Sequence, residues 1–161
     1  MSELHLAYLN LGSNIQPEVN LPKAVELLST FGEIQKISKV WESEAVGADG
    51  PNYLNVCLLF QSNFTYAELK DKVIYLIETR LGRKRSEDKF APRTIDIDIV
   101  LFDDKPINND HWTLPFIIVP LADIYPEFII LPGEESVSAM ATRLRHKVWM
   151  ETRHGVLTQL R

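Results

Sequence analysis

Residues 92–102 read PRTIDIDIVLF, and this segment is the strand that completes the order of elements from which the fold is predicted. Acidic and apolar side chains alternate along it, which is the pattern of a β-strand whose two faces have different surroundings. Because successive side chains of a strand point to opposite faces, Asp96 and Asp98 share one face. The other face carries four apolar residues directed at a core: Ile95, Ile97, Ile99 and Leu101. The segment therefore predicts a half-buried strand with two carboxylates on one face.

The two carboxylates predict a metal site. Two like charges about 7 Å apart on a mostly buried strand repel each other and lose hydration, so a cation between them stabilises the arrangement. Hard divalent cations prefer oxygen ligands, and magnesium held together with phosphate groups is the common form. An exposed and hydrated pair is the usual alternative for Asp-x-Asp, but the apolar flanks of this pair argue against it.

A basic segment precedes the acidic strand. Its cations lie within a dozen residues of one another: Arg83, Lys84, Arg85, Lys89 and Arg93. Arginine binds phosphate oxygens through two parallel hydrogen bonds and stays charged at any working pH. In phosphoryl transfer, metal ions and cationic side chains neutralise the reacting phosphates. A solvated loop partly neutralised by Glu87 and Asp88 is the alternative, and the neighbouring acidic strand makes phosphate binding the better interpretation.

The composition narrows the class of protein. With 161 residues, 45% of them hydrophobic and 24% charged, the chain is expected to form one domain with a substantial core. A net charge of -5 argues against general nucleic-acid binding. The single cysteine, Cys57, excludes an internal disulfide and is expected to be buried. No apolar run reaches about 18 residues and no leader pattern occurs, which predicts a cytoplasmic protein without a membrane partner.

The first part of the chain predicts a strand, a helix and two more strands. The first strand is expected at residues 4–11. The Gly-Ser-Asn that follows is expected to form a turn that ends this strand. The helix has apolar residues at helical spacing, with Pro22 in its first turn and Gly32 after its last. A strand follows at residues 33–43, then a loop at residues 47–52, and then another strand at residues 53–61.

A second helix leads to the acidic strand. Thr65 and Glu68 form the pattern of a capping box, and Gly82 is expected to end the helix. The order of elements predicts an α+β protein with a ferredoxin-like βαββαβ core, an antiparallel sheet with helices packed on it, and a C-terminal extension. After Asp103 five prolines divide the chain, and helices are expected near residues 121–125 and from Ser136.

Two further patterns concern ligands. Tyr53 and Asn55 share a strand face, so the ring can stack on a flat heterocycle while the amide reads its edge. Taken alone, this pattern favours the plainer alternative, a core tyrosine beside an amide that hydrogen-bonds at a strand end. The chain has neither a P-loop motif nor Gly-x-Gly-x-x-Gly, so a bound nucleotide is not held in either of those ways.

Taken together, these residues resemble the hydroxymethyldihydropterin pyrophosphokinase family of folate biosynthesis. The most specific part is APRTIDID at residues 91–98. The supporting segments are LGSN at 11–14, SEAVG at 43–47, PNYLN at 51–55, Glu78 with GRKR at 82–85, and FIIVPL at 116–121. The resemblance covers about residues 5–132 and implies a single pyrophosphokinase domain, residues 1–161, with the ferredoxin-like fold.

The resemblance implies an ATP site. In the family's reaction the pterin hydroxymethyl oxygen attacks the β-phosphorus of ATP, a diphosphate is transferred and AMP leaves. Asp96 and Asp98 would bind two magnesium ions that bridge the ATP phosphates. Arg83 and Arg93 would be the catalytic residues that contact the phosphates during transfer. The other implied ATP-binding residues are Glu78, Arg85, Ile99, Trp112 and Thr113.

The same resemblance implies a pterin site. Tyr53 and Phe116 would enclose the pterin ring, and its edge would hydrogen-bond to Asn55, Ser43 and Val46. The implied partners are therefore two small molecules, ATP and a reduced pterin, with no nucleic acid and no membrane. The protein is expected to be a monomer or a weak homodimer.

The chain departs from the family pattern in two places. Where the family usually has Thr and Pro, Ser43 keeps a hydroxyl but Ala45 lacks the fixed φ of proline. After Pro115 the family normally has about eight more residues, including a His and an Arg that contact ATP phosphates, whereas here Phe116 follows directly. His111 replaces that His only in part, and no residue replaces the Arg. A divergent paralogue that binds pterin or nucleotide with weak or no catalysis is therefore the alternative.

The last segment, residues 136–161, carries no motif of a known site. Its cationic residues and one aromatic residue are compatible with an anionic partner: Arg143, Arg145, His146, Lys147 and Trp149. The pattern is more typical of the solvated face of a terminal helix, with Leu144, Val148 and Trp149 packed on the core.

Overall fold

One antiparallel sheet forms the centre of the protein. The computed structural model describes residues 3–45, 49–84, 92–131 and 133–157. Its strands are β1 His5–Ser13, β2 Glu33–Ile37, β3 Val40–Ser43, β4 Tyr53–Ser62, β5 Asp96–Phe102, β6 Lys105–Pro106, β7 Ile129–Ile130, β8 Glu135–Ser136 and β9 Met150–Arg153. Within these ranges seven strands share a sheet in the order β6-β5-β1-β4-β3-β9, with β2 also paired to β4, while β7 and β8 form a separate hairpin.

Helices cover both faces of this sheet. They are α1 Pro17–Ser29, α2 Tyr66–Glu68, a π-helical segment Leu69–Ile74, α3 Tyr75–Arg80, a 3-10 helix Asn109–Thr113, α4 Pro115–Ile124 and α5 Val137–Leu144. Among the described helices, none has both the length and the apolar character needed to cross a bilayer.

The predicted ferredoxin-like core is confirmed. β1 lies between β4 and β5 and pairs with both in antiparallel orientation, so that Asn10 is opposite Cys57 on one side and Asp98 on the other. α1 connects β1 to β2, and the segment from α2 to α3 leads from β4 towards β5. β6 and β9 extend this core at the two edges of the sheet.

Two clusters of buried side chains lie on opposite faces of the sheet. The first joins α1 and α3 to residues such as Leu9, Leu58 and Ile97. The second joins α4 and α5 to residues such as Tyr8 and Cys57, which is fully buried as predicted. The helices of the first cluster were predicted. In the second cluster, α5 was predicted to begin near Ser136 and α4 only in its last part, at residues 121–125, and their packing as a layer on the other face of the sheet was not predicted.

The acidic strand has the predicted alternation with one exception. Ile95, Ile97 and Ile99 are buried in the first cluster. Leu101, expected on the same face, packs in the second cluster instead. The pairing between β1 and β5 shifts at Tyr8, so the strict alternation of faces ends before Leu101.

Three expectations for the first part of the chain are wrong. β1 continues through Ser13, so the predicted turn is part of the strand. Pro22 lies inside α1 rather than in its first turn, which begins at Pro17. The strand predicted at residues 33–43 is divided into β2 and β3, because Ser38 between them exchanges two hydrogen bonds with Cys57 of β4.

The second helix begins and ends as predicted. Thr65 and Glu68 form the capping box, each side chain accepting a hydrogen bond from the other residue's backbone N–H. Gly82 has a φ of 83°, and the N–H groups of Gly82 and Arg83 donate to the carbonyls of Thr79 and Glu78. These are the two hydrogen bonds of a Schellman motif. The π-helical segment in the middle of the helix was not predicted.

The C-terminal part differs more from the prediction. α5 begins at Val137, close to the predicted start at Ser136, and the Ser136 hydroxyl caps it by accepting a hydrogen bond from the backbone N–H of Ala139. α5 ends at Leu144, however, and Trp149 is 41% exposed rather than packed on the core. The residues after Trp149 form β9, because Met150 is buried and β9 pairs with the edge of β3. The helix expected at residues 121–125 begins earlier, at Pro115.

Candidate active site

Two adjoining cavities lie beside the acidic end of β5. The first encloses about 560 Å³ and is bounded by the helical residues 66–78 and by β5. The second encloses about 500 Å³ and is bounded by β1, β4 and the start of α4. Five residues line both cavities: Arg93, Asp96, Asp98, Asn108 and His111. We call this shared region the junction, because ligands in the two cavities can meet there.

Asp96 is held between two arginines at the junction. Arg83 Nη1 donates to Asp96 Oδ1 at 2.9 Å, and Arg93 Nη1 donates to Asp96 Oδ2 at 2.7 Å. All three side chains are only partly exposed, so these charge-assisted bonds are stronger than those of surface ion pairs. The structure therefore brings the two predicted catalytic arginines to one of the two predicted metal-binding carboxylates.

Glu78 fixes Arg83 from the side of α3. Its carboxylate is buried, and Glu78 Oε2 accepts hydrogen bonds from Arg83 Nη1 at 2.6 Å and from the backbone N–H of Ile97 at 2.9 Å. The Schellman motif at Gly82 turns the chain so that Arg83 can reach back to Glu78. Glu78, predicted near the nucleotide, lines the first cavity and also ties α3 to β5.

Asn14 fixes the backbone of Arg93. The side-chain oxygen of Asn14 accepts a hydrogen bond from the Arg93 N–H at 2.7 Å, and the Asn14 N–H donates to the Arg93 carbonyl at 3.1 Å. The Asn14 amide also donates to the carbonyl of Pro51 at 3.3 Å. This buried asparagine therefore connects the segments that precede α1, β4 and β5.

Asp98 has a less compensated charge than Asp96. Burial raises the pKa of Asp98 to about 7, and the carboxylates of Asp96 and Glu78 add to the rise, while Arg93 and Arg83 oppose it. The carboxylate of Asp98 thus lies in a buried position beside two other carboxylates, where its charged form is disfavoured. The site is thus prepared to attract a cation.

The donor set fits magnesium. Magnesium bound with a nucleotide takes one or two carboxylates and completes its shell with phosphate oxygens and water. Among the described residues, no group of three or more His, Cys, Asp or Glu side chains is placed to hold a metal. Each oxygen of Asp96 keeps a second lone pair beside its arginine bond, so both Asp96 and Asp98 remain available as ligands.

A fixed side-chain amide borders the second cavity. Asn55 Nδ2 donates to Ser43 Oγ at 2.8 Å and to the carbonyl of Trp41 at 3.2 Å, which fixes the plane of the buried amide. The amide oxygen lies next to Gly12, where a Cβ would be only 3.2 Å from it. A residue larger than glycine at position 12 would therefore crowd the Asn55 amide and the cavity. The sequence did not indicate this requirement.

Most of the predicted site residues are brought together. Those that line the first cavity are Glu78, Arg83, Arg93, Asp96, Asp98 and Ile99. Those that line the second are Ser43, Tyr53, Asn55 and Phe116, together with the junction. Trp112 is buried in the second cluster and Thr113 is exposed, and neither lines a cavity. Arg85 and Val46 lie outside the described residues. The roles assigned to all these residues stay predictions.

The sequence interpretation assigned no role to several residues that the structure brings to the site. Asn10 and Gly12 lie opposite Asp98 and Asp96 across the β1–β5 pair, and both line the second cavity. The alternation of β1 shows that they share a face, but their partner across the sheet depends on register. Tyr75 and Lys70 line the first cavity from the helical segment, and nothing in their spacing distinguishes them from other exposed residues.

Comparison with known proteins yields one consistent result. A family model described as 7,8-dihydro-6-hydroxymethylpterin-pyrophosphokinase (HPPK) matches residues 8–126. Curated relatives named 2-amino-4-hydroxy-6-hydroxymethyldihydropteridine pyrophosphokinase occur in several bacteria. The protein from Aquifex aeolicus is 39% identical over 132 residues, covering 76% of this chain and 81% of the relative. The protein from Synechocystis sp. is 33% identical over 138 residues, covering 79% and 70%. The protein from Bacillus subtilis is 31% identical over 159 residues, covering 91% and 92%.

Solved structures agree in fold. Plasmodium falciparum HPPK-DHPS, solved as the wild type with SDX-DHP, matches with a TM-score of 0.68 at 13% identity. The triple mutant solved with STZ-DHP matches with a TM-score of 0.71 at 14% identity. Both matches cover 89% of this chain but only 45% and 44% of the longer Plasmodium chains. At this identity the likeness shows the fold alone.

Proposed function

The chain belongs to the 7,8-dihydro-6-hydroxymethylpterin-pyrophosphokinase family, and we propose that its two cavities hold the two substrates of that family on either side of the junction. The protein transfers pyrophosphate from ATP to 6-hydroxymethyl-7,8-dihydropterin and releases AMP, a step of folate biosynthesis. ATP is therefore its co-substrate. The named relatives and the arginine–carboxylate cluster favour this enzyme over a paralogue that binds without catalysis.

The observation that carries the proposal is the shared lining of the cavities. Transfer requires the attacking oxygen and the phosphorus to approach within about 3.5 Å, so the two substrates must meet in one place. The first cavity, lined by both arginines, suits the ATP phosphates, and the second, lined by Tyr53, Asn55 and Phe116, suits the pterin. The junction is where the hydroxymethyl group and the β-phosphorus would meet.

The reaction is a substitution at the β-phosphorus. The hydroxymethyl oxygen forms a bond to this phosphorus, the bond from the phosphorus to the oxygen bridging the α- and β-phosphates breaks, and the hydroxyl proton is released. AMP leaves with the bridging oxygen. Negative charge is spread over the transferring phosphates, and cationic side chains held at fixed positions stabilise it.

Arg83 and Arg93 would supply this stabilisation. Both guanidinium groups are already positioned by Asp96, and Arg83 also by Glu78. Each guanidinium has donors beyond those used in these bonds, so phosphate oxygens can be bound without releasing the carboxylates. Asp96 and Asp98 would hold two magnesium ions, whose charge would neutralise that of the phosphates.

The second cavity would orient the pterin. The Asn55 amide donates to Ser43 and Trp41, so its oxygen remains to accept hydrogen bonds from N–H groups at the ring edge. Tyr53 and Phe116 line the same cavity and would contact the two faces of the ring. A rigid pocket of this kind directs the hydroxymethyl group to the junction.

The remaining assignments belong to the same proposal. We place Trp112 and Thr113 near the adenine, Arg85 at the phosphates and Val46 at the pterin edge. The chain, residues 1–161, would act as one pyrophosphokinase domain in the cytoplasm, as a monomer or weak homodimer. None of these assignments is needed for the chemistry at the junction.

The proposal is tested by assaying AMP formation from ATP, 6-hydroxymethyl-7,8-dihydropterin and magnesium. Wild-type protein should form AMP and pterin diphosphate in equal amounts. Arg93→Ala should lower turnover by at least about 100-fold with little change in pterin affinity, because its contacts are to the reacting phosphates. Arg143→Ala is the control, since Arg143 is an exposed arginine paired with Glu135 outside both cavities. Pterin binding without AMP formation by the wild type would favour the paralogue instead.

A further inference from the structure

Asn10 lies in the wall of the second cavity, and none of the roles proposed above involves it. It is opposite Asp98 in the β1–β5 pair and opposite Cys57 in the β1–β4 pair, so it lies in the interior of the sheet. The residue is only 3% exposed, and it lines the second cavity but not the first. A buried polar side chain in this position is therefore directed at the ligand of the second cavity.

The two ends of the Asn10 amide have different surroundings. Oδ1 is completely enclosed and has no hydrogen-bond partner in the described part of the chain. Nδ2 is not enclosed in this way, and no described residue accepts a hydrogen bond from it, so it is the end that a ligand can reach. The reverse orientation would enclose N–H groups without an acceptor, which are rarer in proteins than enclosed acceptors left unused. The amide thus offers N–H donors to the cavity.

The two asparagines of the second cavity offer opposite groups. The Asn55 amide donates to Ser43 and Trp41, so its oxygen is the group left for a ligand. Asn10 offers N–H groups from a diagonal position across the β1–β4 pair, about 7–8 Å from Asn55. The cavity therefore fits a ring that donates hydrogen bonds at one edge and accepts them at another.

A 7,8-dihydropterin has two edges of this kind. Its N3–H and 2-amino groups donate, which suits the Asn55 oxygen. Its N5 accepts, because the double bond to C6 leaves a lone pair in the plane of the ring. C6 carries the hydroxymethyl group, which has to reach the junction beside Asp98, and Asn10 is the neighbour of Asp98 across the sheet. Building on the proposed function, we propose that Asn10 Nδ2–H donates a hydrogen bond to N5 of the pterin and so directs the hydroxymethyl group to the junction.

A pair of ligands that differ at one ring atom tests this contact. 6-Hydroxymethylpterin keeps the N5 lone pair, whereas its 5-deaza counterpart has a C–H group in the same place. In titration calorimetry the wild type should bind the 5-deaza compound about 5- to 30-fold more weakly, as expected for the loss of a buried hydrogen bond. Asn10→Ala should bind the two compounds within about twofold of each other, because the donor is absent.

Further variants separate the contact from a structural role. Asn10→Leu also lacks the donor, and its Tm should be no lower than that of the wild type, because an enclosed oxygen without a partner is removed. Both Asn10 variants should bind magnesium with α,β-methylene-ATP, which cannot transfer pyrophosphate, within about threefold of the wild type, since Asn10 does not line the first cavity. Asn63→Ala is the control: this exposed asparagine lies outside both cavities, so the difference between the two pterins should persist.

Three results would count against these assignments. Equal binding of the two pterins by the wild type, or a wild-type difference between them in Asn10→Ala, would overturn the contact with N5. Lowered Tm values in both Asn10 variants, with weaker binding of both pterins and of the nucleotide, would assign Asn10 a structural role and also overturn it. Absence of AMP formation and of dihydropterin binding by the wild type would instead refute the proposed function.

Discussion

Glu78 and Arg83 are joined twice across the end of α3. The backbone N–H of Arg83 donates to the Glu78 carbonyl at 3.0 Å, and Arg83 Nη1 donates to Glu78 Oε2 at 2.6 Å. The first bond belongs to the helix cap and the second to the ion-pair cluster around Asp96. The cap of one helix thereby determines where a predicted catalytic arginine lies. Substitutions at Glu78 and Gly82 affect these two bonds separately.

Glu78→Gln tests the side-chain bond. The substitution keeps the size of the side chain but removes its charge, so Arg83 loses one of its two carboxylate partners. We expect a loss of about 1–3 kcal/mol in the free energy of unfolding, as for hydrogen bonds to charged groups, and a fall in turnover of about tenfold or more. Denaturant unfolding and the AMP assay measure the two effects.

The exposed pair of Glu135 and Arg143 provides the control for Glu78→Gln. Glu135→Gln breaks a bidentate surface ion pair, for which a loss of less than about 1 kcal/mol and no loss of activity are expected. If Glu78→Gln were as active and as stable as Glu135→Gln, Glu78 would not position Arg83.

Gly82→Ala tests the backbone bond. Gly82 has a φ of 83°, and a Cβ there would meet no atom within 4 Å, so the cost of the substitution comes from the backbone alone. A non-glycine residue in this conformation costs about 1–2 kcal/mol. Because relief of the strain would move Arg83, turnover should fall by more than about tenfold.

Gly155→Ala is a matched control for Gly82→Ala. Gly155 has a φ of 85° and equally open surroundings, but it lines neither cavity. Both variants should lose similar stability in thermal unfolding, and only Gly82→Ala should lose activity. An equal loss of activity in both would attribute the effect to stability rather than to the position of Arg83.

Asp98→Asn is expected to separate stability from activity. In the absence of magnesium, the Asp98 carboxylate is repelled by Asp96 and Glu78 and is partly desolvated. Replacing it with a neutral amide should raise Tm at pH 8 in magnesium-free buffer, while activity with magnesium should fall by at least about 100-fold. Calorimetric Tm values and AMP formation check the two parts.

Asp104→Asn provides the comparison for Asp98→Asn. Asp104 is exposed and outside both cavities, and an asparagine there keeps an oxygen for the hydrogen bond that Asp104 accepts from the Tyr125 hydroxyl. Activity should therefore not change, and any change in Tm should be small. A lower Tm for Asp98→Asn than for the wild type would contradict the idea that this carboxylate is unfavourably placed in the metal-free protein.

Tyr53 and Tyr75 distinguish the two cavities. Tyr53 lines only the second cavity and Tyr75 only the first. Tyr53→Leu should weaken binding of the pterin by about tenfold, since aromatic stacking contributes about 0.5–1.5 kcal/mol beyond area burial, and leave ATP affinity unchanged. Tyr75→Leu should weaken binding of ATP and leave pterin affinity unchanged. Titration calorimetry of each variant with each substrate gives the four affinities. Weaker ATP binding by Tyr53→Leu and weaker pterin binding by Tyr75→Leu would exchange the assignments of the two cavities.

His111 predicts a pH dependence of stability. Burial lowers its pKa in the folded state below the unfolded value of about 6.5, so the unfolded chain binds more protons as the pH falls through this range. This effect of His111 lowers the free energy of unfolding between pH 7.5 and pH 5, whereas the raised pKa of Asp98 acts in the opposite direction. The contribution of His111 is therefore a difference between two proteins: relative to the wild type, His111→Asn should become more stable as the pH falls through this range. Denaturant unfolding at a series of pH values measures both curves, and parallel curves would show that His111 titrates normally.

Several structural features followed from short segments of sequence because their causes are local. The capping box at Thr65 and the glycine at the end of α3 each depend on hydrogen bonds between residues at most five positions apart. The shared face of Asp96 and Asp98 follows from the alternation of a single strand. The order of these elements was sufficient to predict the ferredoxin-like core.

Other features depended on contacts that local patterns do not specify. β9 was assigned to a terminal helix, because only its pairing with the edge of β3 makes it a strand. The division at Ser38 arises from two bonds to Cys57, which lies 19 residues away. The layer formed by α4 and α5 is stabilised by burial against the sheet rather than by its own periodicity.

At the site itself, the residue types and the strand face could be assigned from the chain alone, since charge and alternation are properties of neighbouring residues. The tertiary structure decided which groups meet. Asn14 reaches Arg93 across 79 positions, and Asp96 becomes the common partner of Arg83 and Arg93. It also decided that His111 lies buried at the junction. Distances and burial of this kind depend on sheet register and on packing between layers, which arise only when distant segments come together.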